Sequence, residues 1–204
     1  MLERYTSLMV RQEVEALQTF AGLETKNRYR IVDSSGEPVC LAYEESSFLA
    51  RQLLGNHRPL KLHVVDAQGT PLLLARRNFY WFHSHLEFLS PQGEVIGRLE
   101  RRMGFLSRRF ELYDRQGLVG VVHGGGFKPN TFLLQQEGTE LARILKKWSG
   151  IGRELFTAAD NFQVEFSSQF LPESTRWLVL GTAFAIDLDF FEARGRRSGL
   201  RFGN

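Results

Sequence analysis

Five short turns, each ending in glycine, constrain the fold of this 204-residue chain more than any other feature. They occupy residues 33–36, 66–69, 90–93, 114–117 and 135–138. An Asp or Ser at the first position can accept hydrogen bonds from the turn's own amides, and glycine at the last position adopts a positive φ angle without a Cβ clash. Apolar residues alternate with polar ones in the flanks, as at Leu60, Leu62 and Val64. The pattern therefore predicts five β-hairpins in series.

Hairpins that follow one another without helical patterns between most of them indicate an antiparallel meander. A sheet of about ten strands normally curls or closes, and closure removes the exposed strand edges. The 17 phenylalanines favour β structure as well, because large aromatic side chains suit a half-buried pleated surface. We therefore expect a mainly β protein built as a closed antiparallel barrel. No linker or shift in composition divides the chain, so residues 5–192 are predicted to form one domain.

A single long apolar segment follows the last predicted strand, and residues 177–186 carry no charge. Ten residues span only about 15 Å as a helix, whereas a membrane crossing needs about 20 apolar residues. Extending the segment brings in Asp187 and Asp189, which are costly in lipid. We therefore expect a helix threaded through the barrel, capped by Ser174 or Thr175, with a membrane anchor as the alternative. The residues of this membrane or core helix are Trp177, Leu178, Val179, Leu180, Phe184, Ile186, Phe190 and Phe191.

Both ends of the chain have recognisable patterns. Val10, Val14 and Leu17 recur at helical spacing, which predicts a short N-terminal helix over residues 7–21. Residues 193–204 are rich in arginine, glycine and serine, and we expect either a solvated, disordered tail or an arm for anionic lipid headgroups. The arginines of that arm are Arg194, Arg196, Arg197 and Arg201.

The net charge and the sequence motifs limit which functions the chain can have. A formal net charge of +3 allows an anionic partner without requiring one. Basic doublets, at residues 76–77, 101–102, 108–109 and 146–147, would make the barrel exterior positive in patches or belong to an ordinary soluble surface. Nucleic-acid binding would depend on these doublets alone and is not expected.

The chain carries no nucleotide-binding or nucleophile motif, so we do not expect an enzyme. The single cysteine, Cys40, excludes an internal disulfide.

Several segments, taken in order along nearly the whole chain, resemble the phospholipid scramblase family. They are LQTFAGLETKNRYRI at residues 17–31, AYEE at 42–45, KWSG at 147–150, ELFTAADNF at 154–162, and the apolar segment with its FFE at 190–192. The chain is similar to a minimal, microbial member, because the proline-rich extension and the cysteine-rich acylation runs of the animal proteins are missing.

The resemblance implies a tubby-like fold, in which a twelve-stranded antiparallel barrel surrounds a hydrophobic C-terminal helix. It also implies calcium-stimulated, bidirectional movement of phospholipids between leaflets, without covalent catalysis. The expected partner is a phospholipid or membrane surface, and the expected location is a membrane, on the side facing the cytoplasm. The alternative is a soluble cytoplasmic tubby-like barrel that binds an anionic headgroup or a protein partner. The sequence does not predict an oligomeric state.

Calcium is implied by the resemblance on a segment that matches only in part. The acidic calcium segment of the family falls on residues 158–169, where Asp160, Asn161 and Glu165 supply oxygen ligands. The outer acidic positions are occupied by Ala158 and Gln169. Calcium takes about six to eight oxygen ligands, and alternation along a strand would put Asp160 and Glu165 on opposite faces. The prediction is therefore a degenerate calcium segment, and no other cofactor is expected.

Overall fold

The computed structural model describes residues 1–13, 25–45, 59–77, 85–102, 109–124, 130–147, 161–167 and 170–187. These residues contain a 3-10 turn, Leu2–Arg4, twelve strands and one α-helix, α1, Glu173–Ile186. The strands are β1 Ser7–Glu13, β2 Thr25–Val32, β3 Pro38–Glu45, β4 Leu60–Val65, β5 Pro71–Arg77, β6 His85–Leu89, β7 Val95–Arg102, β8 Arg109–Asp114, β9 Leu118–Gly124, β10 Thr131–Gln136, β11 Thr139–Lys147 and β12 Asn161–Phe166.

The twelve described strands form a closed antiparallel barrel. Each strand pairs with its neighbour in sequence, and β1 also pairs with β12, so that Val10 lies opposite both Ile31 and Phe162. Closure gives each of the twelve described strands two partners, so none of these strands is an open edge of the sheet. The expected mainly β fold and antiparallel barrel are confirmed.

The five predicted turns are present, and their last residues have positive φ angles. These residues are Gly36, Gly69, Gly93, Gly117 and Gly138. At the first of the turns, Asp33 Oδ1 accepts hydrogen bonds from the amides of Ser35 and Glu37 at 2.9 and 3.0 Å. The turn that begins at Asp66 repeats this arrangement, and Asp114 Oδ1 accepts from the amides of Gln116 and Gly117. The carboxylate therefore satisfies amides that the tight bend removes from the strand ladder.

The predicted N-terminal helix is wrong for the part that the structure describes. Ser7–Glu13 is strand β1, in which Leu8 and Val10 are fully buried and Arg11 is exposed. Without β1, the facing edges of β2 and β12 would lack a partner, and this pairing outweighs the weak helical spacing of a short apolar pattern. The rest of the predicted helix, residues 14–21, lies outside the described residues.

Helix α1 fills the interior of the barrel. Twelve strands enclose more space than their own inward side chains can fill, since about eight strands already suffice for a filled barrel. Every residue from Trp177 to Ile186 is buried, and Trp177 itself is 7% exposed. Inward aromatic residues of the strands complete this core, namely Tyr29, Phe88, Phe110, Phe132 and Phe162. The central position expected for the helix is confirmed.

The start of α1 differs from the sequence prediction. The helix begins at Glu173 with Pro172 as its N-cap residue, and no side chain caps it. Ser174 and Thr175 therefore lie inside the first turn, so the predicted cap is wrong. Proline is compatible with this position because the first amides of a helix have no carbonyl partner within the helix. Phe190 and Phe191 lie outside the described residues, as does the arginine-rich tail, residues 193–204.

Candidate functional site

A buried arginine joins the start of α1 to the N-terminal segment. Arg176 is 1% exposed, and its guanidinium donates to the carbonyls of Leu171, Leu2 and Tyr5 at 3.1, 3.2 and 2.6 Å. It also lies 4.6 Å from the centre of the Phe166 ring, within the range of a cation–π interaction. These contacts hold the helix, the N-terminal turn and the end of β12 together. The sequence patterns did not predict this role for Arg176, although a lone basic residue at the start of an apolar helix is a signal that could have indicated it.

At the other end of α1, a buried carboxylate contacts the barrel wall. The Tyr29 hydroxyl on β2 donates a 2.7 Å hydrogen bond to Asp187 Oδ2, and Asp187 is only 5% exposed. The Tyr29 ring also packs on Phe184, with 5.1 Å between ring centres. The sequence suggested only that Asp187 ends the apolar segment. Its burial beside Tyr29 shows that the barrel encloses this residue as well.

Between these polar ends, α1 approaches the strands closely at two glycines. A Cβ atom at Gly181 would lie 2.2 Å from Cε1 of Phe88 on β6. A Cβ atom at Gly97 on β7 would lie 2.7 Å from the Leu178 methyl groups and 2.5 Å from the Tyr113 carbonyl oxygen. Side chains at these positions would force the helix away from the wall. The two glycines therefore set the distance between α1 and the β6–β7 hairpin.

The described residues of the expected calcium segment do not fit a common calcium site. Asn161 and Glu165 both face outward on β12, but they are four residues apart along the strand, so their Cα atoms lie about 13 Å apart. The ligand oxygens of one calcium ion all lie about 2.3–2.6 Å from the metal. Two side chains that project outward from positions this far apart cannot both reach the same ion. Asn161 also lies between two basic residues, Lys147 and Arg11. No group of three or more His, Cys, Asp or Glu in the described residues could hold a metal ion, and Asp160 lies outside them.

On the barrel exterior, the outward arginines of β5, β7 and β8 lie in ion pairs. Arg76 lies 2.7 Å from Glu87, and Arg98 lies 2.7 Å from Glu100. Arg102 and Arg109 share Glu111, at 2.7 and 3.1 Å. The second member of one predicted doublet, Arg77, is buried, because neighbours on a strand point to opposite faces. The positive patches that the doublets suggested are therefore largely compensated on this part of the barrel.

A polar cleft of about 530 Å³ opens at the end of the barrel where the chain begins. Its lining consists of Arg4, Tyr5, Thr6, Ser7, Asp33, Ser34, Glu37 and Pro38. The charged residues of this lining are Arg4, Asp33 and Glu37, and few apolar groups contribute. A cleft of this chemistry does not suit an acyl chain, whose binding needs a mostly apolar wall.

No helix in the described ranges combines the length and apolarity that a membrane crossing requires.

Comparison with known proteins relates this architecture to one family. The Scramblase family model matches residues 1–193. Phospholipid scramblase 1 of Rattus norvegicus is 30% identical, over 98% of this chain and 64% of the rat protein. Phospholipid scramblase 1 of Homo sapiens is 27% identical, over 95% of this chain and 65% of the human protein. The chain thus spans slightly less than two thirds of the length of these two relatives.

A yeast protein with a different name is similar over a comparable span. It is the altered inheritance rate of mitochondria protein 25 of Saccharomyces cerevisiae, which is 25% identical over 97% of this chain and 74% of its own length. The similarity in all three cases extends from the barrel strands through α1, so it covers the whole architecture described above rather than one motif.

Proposed function

Since the chain belongs to the scramblase family, we propose that it associates with a membrane surface, binds phospholipids there and allows them to move between the two leaflets. The observation that carries this proposal is the family match along nearly the whole chain. Movement of this kind needs no covalent step, because the protein only has to lower the barrier that a polar headgroup meets in the apolar interior of the bilayer.

In the proposed resting state, α1 stays inside the barrel and the lipid contacts are external. The four arginines of the C-terminal tail, Arg194, Arg196, Arg197 and Arg201, would contribute about 1 kcal/mol each near anionic lipid. Anionic lipids are concentrated in the cytoplasmic leaflet, so we place the protein on that side. Calcium is not part of this proposal, because the described residues Asn161 and Glu165 cannot share an ion.

Reconstitution in liposomes tests lipid movement directly. Vesicles containing a fluorescent phospholipid are treated with dithionite, which bleaches only the outer leaflet. We expect bleaching to proceed beyond the outer-leaflet fraction when the protein is present, and to the same extent with calcium and with a chelator. Protein-free vesicles and an entrapped soluble dye control for dithionite leakage. Bleaching that stops at the outer-leaflet fraction in both conditions would contradict the proposal.

A second candidate function is a tubby-like binding module that holds an anionic headgroup or a protein without moving lipid. The observation that favours it is the enclosure of α1, whose apolar side chains are all occupied by contacts with the barrel. The two functions differ in a measurable way. A binding module would sediment with anionic vesicles while dithionite bleaching stays at the outer-leaflet fraction.

Cys40 provides a reporter of the position of α1. It is the only cysteine, it lies in the core around the helix, and burial raises the pKa of its thiol to about 12. Little thiolate is therefore present at neutral pH, and we expect slow alkylation of the folded protein by a maleimide. If α1 stays in the barrel, vesicles of phosphatidylserine and phosphatidylcholine will leave this rate unchanged. A rate that approaches that of the urea-unfolded chain would show instead that the barrel opens on the membrane.

A further inference from the structure

Four outward-facing residues form a row across four neighbouring strands. Asn161 on β12 lies opposite Lys147 on β11 and opposite Arg11 on β1. Arg11 in turn lies opposite Arg30 on β2. Residues paired in this way share one face of the sheet, and their Cα atoms lie about 5 Å apart. We call Lys147, Asn161, Arg11 and Arg30 the basic row.

The basic row faces away from the core. The next residues along β1 and β12, Val10 and Phe162, are fully buried, so alternation directs Arg11 and Asn161 outward. Lys147, Arg11 and Arg30 are exposed, and Asn161 is partly exposed. A soluble ion or a surface could therefore reach all four side chains.

The positive charge of the basic row is only partly compensated. Glu13 lies 2.6 Å from Arg30 and 4.0 Å from Arg28, so its single charge is already shared. In the part of the chain that the structure describes, no carboxylate lies within 4.0 Å of Arg11 or Lys147. The outward arginines of β5, β7 and β8, unlike Arg11 and Lys147, each have a glutamate within 3.1 Å, although Arg102 and Arg109 share Glu111. Arg11 and Lys147, which have no carboxylate partner among the described residues, thus flank the side-chain amide of Asn161.

We propose that the basic row binds a phosphate group, with Arg11 and Lys147 on either side and the Asn161 amide between them. The planar guanidinium can donate two parallel hydrogen bonds to phosphate oxygens, and the ammonium adds a compact positive charge. The side-chain NH₂ of asparagine supplies a further donor. Both basic side chains are long, and each starts one strand away from Asn161, so they can converge above it.

The same neighbours disfavour a cation at this place. A calcium ion near Asn161 would meet two positive charges within about one strand spacing on each side. In this chain, the Asn161 end of the segment on which the family resemblance implied calcium is therefore flanked, on the neighbouring strands, by positive charges that suit an anion. A phosphate bound there could belong to a lipid headgroup or to a free phosphate ion, and both present the same oxygens to the basic row.

The lipid form of this site rests on the proposed function, since it supplies the contact by which the barrel exterior holds a phospholipid. The free-ion form does not depend on it. The two are separated by using two probes. Isothermal titration with inorganic phosphate measures the free ion, and sedimentation with phosphatidylcholine vesicles that contain phosphatidate measures the headgroup, with pure phosphatidylcholine vesicles as the reference.

The test compares two double variants with the same net charge. Arg11→Gln with Lys147→Gln removes the two unneutralised cations of the basic row. Arg98→Gln with Arg115→Gln removes two exposed cations elsewhere on the barrel and is the matched control. We expect the first variant to bind the phosphate probe about 10- to 30-fold more weakly than wild type, and the control to change by no more than about threefold. Thermal unfolding checks that both variants fold.

A single isosteric substitution separates anion binding from calcium binding. Asn161→Asp puts a carboxylate between Arg11 and Lys147, so we expect weaker phosphate binding and no gain of calcium affinity. The reverse result, with stronger calcium binding and unchanged phosphate binding, would overturn the proposal.

The remaining outcomes each decide a point. Equal losses in the two double variants would show non-specific charge attraction and overturn the site, as would a wild-type protein that binds neither probe. Binding of inorganic phosphate without binding of vesicles supports the site and assigns it to a free ion. Dithionite bleaching that stays at the outer-leaflet fraction would contradict the proposed lipid movement while leaving a positive phosphate titration intact, so the two failures are distinguishable.

Discussion

Replacing Arg176 by methionine is expected to lower the free energy of unfolding by about 3 kcal/mol or more. Methionine keeps much of the side-chain volume and the apolar stem, but it cannot donate to the carbonyls of Leu171, Leu2 and Tyr5. The Leu2 carbonyl keeps the Tyr5 amide as a donor, but the carbonyls of Leu171 and Tyr5 lose the donor that Arg176 supplies. Each buried polar group that loses its partner costs about 1–3 kcal/mol, so two carbonyls make this a large effect. Equilibrium unfolding in urea, followed by the fluorescence of Trp177 and the other tryptophans, measures it.

Two further variants make this result interpretable. Arg98→Met on β7 removes an exposed arginine that pairs with Glu100, and it should cost less than about 1 kcal/mol. Arg176→Lys keeps a charge but loses the planar fork, so an intermediate loss is expected. If Arg176→Met and Arg98→Met unfold at the same urea concentration, Arg176 does not stabilise the docked helix. If Arg176 does stabilise it, Cys40 should be alkylated faster in Arg176→Met than in wild type, because the helix is less firmly held.

The second large effect is expected where α1 touches the barrel wall at Gly181. Gly181→Leu should lower the free energy of unfolding by about 3 kcal/mol, at the upper end for overpacked cores, because even a Cβ atom there would lie 2.2 Å from the Phe88 ring. Phe88→Ala alone should cost about 3–5 kcal/mol by leaving a cavity. The double variant should cost less than the sum by more than about 1 kcal/mol, since the leucine can occupy the space of the ring.

The control for this pair is Gly181→Leu combined with Phe132→Ala. Phe132 is also fully buried, but it lies on β10, four strands away from β6 around the barrel. Its effect should add to that of Gly181→Leu within about 0.5 kcal/mol. Equal coupling in the two pairs would mean that the core relaxes as a whole, and that the contact between Gly181 and Phe88 does not fix the position of the helix.

Local sequence patterns were sufficient to predict the barrel. The turns at residues 33–36 and 66–69 show why: an aspartate followed three residues later by glycine specifies the bend through its own hydrogen bonds, whatever the rest of the chain does. Alternation, as at Leu60, Leu62 and Val64, specifies which face of each strand is buried. The uncharged length of residues 177–186 indicated a core helix because ten residues are too few to cross a bilayer.

The first strand shows where local patterns were insufficient. Val10, Val14 and Leu17 have helical spacing, yet Ser7–Glu13 is a strand because β2 and β12 offer it two sets of backbone partners. That pairing depends on residues about 150 positions apart, as in the contact of Val10 with Phe162, and no local window contains it. Separation in sequence also explains why the role of Arg176 could not be predicted, because its acceptors at Leu2 and Tyr5 lie at the other end of the chain.

The sequence by itself determined the hairpins, the alternation of buried and exposed positions, and the apolar length of α1, because each depends on residues that are neighbours in the chain. Only the tertiary structure decided which charged side chains lie next to one another on the exterior of the barrel. Arg11, Lys147 and Asn161 are separate in sequence, and they become neighbours because β1 closes the barrel against β12. Their electrostatic character depends on which carboxylates lie nearby in space, and strand register rather than composition sets that distance.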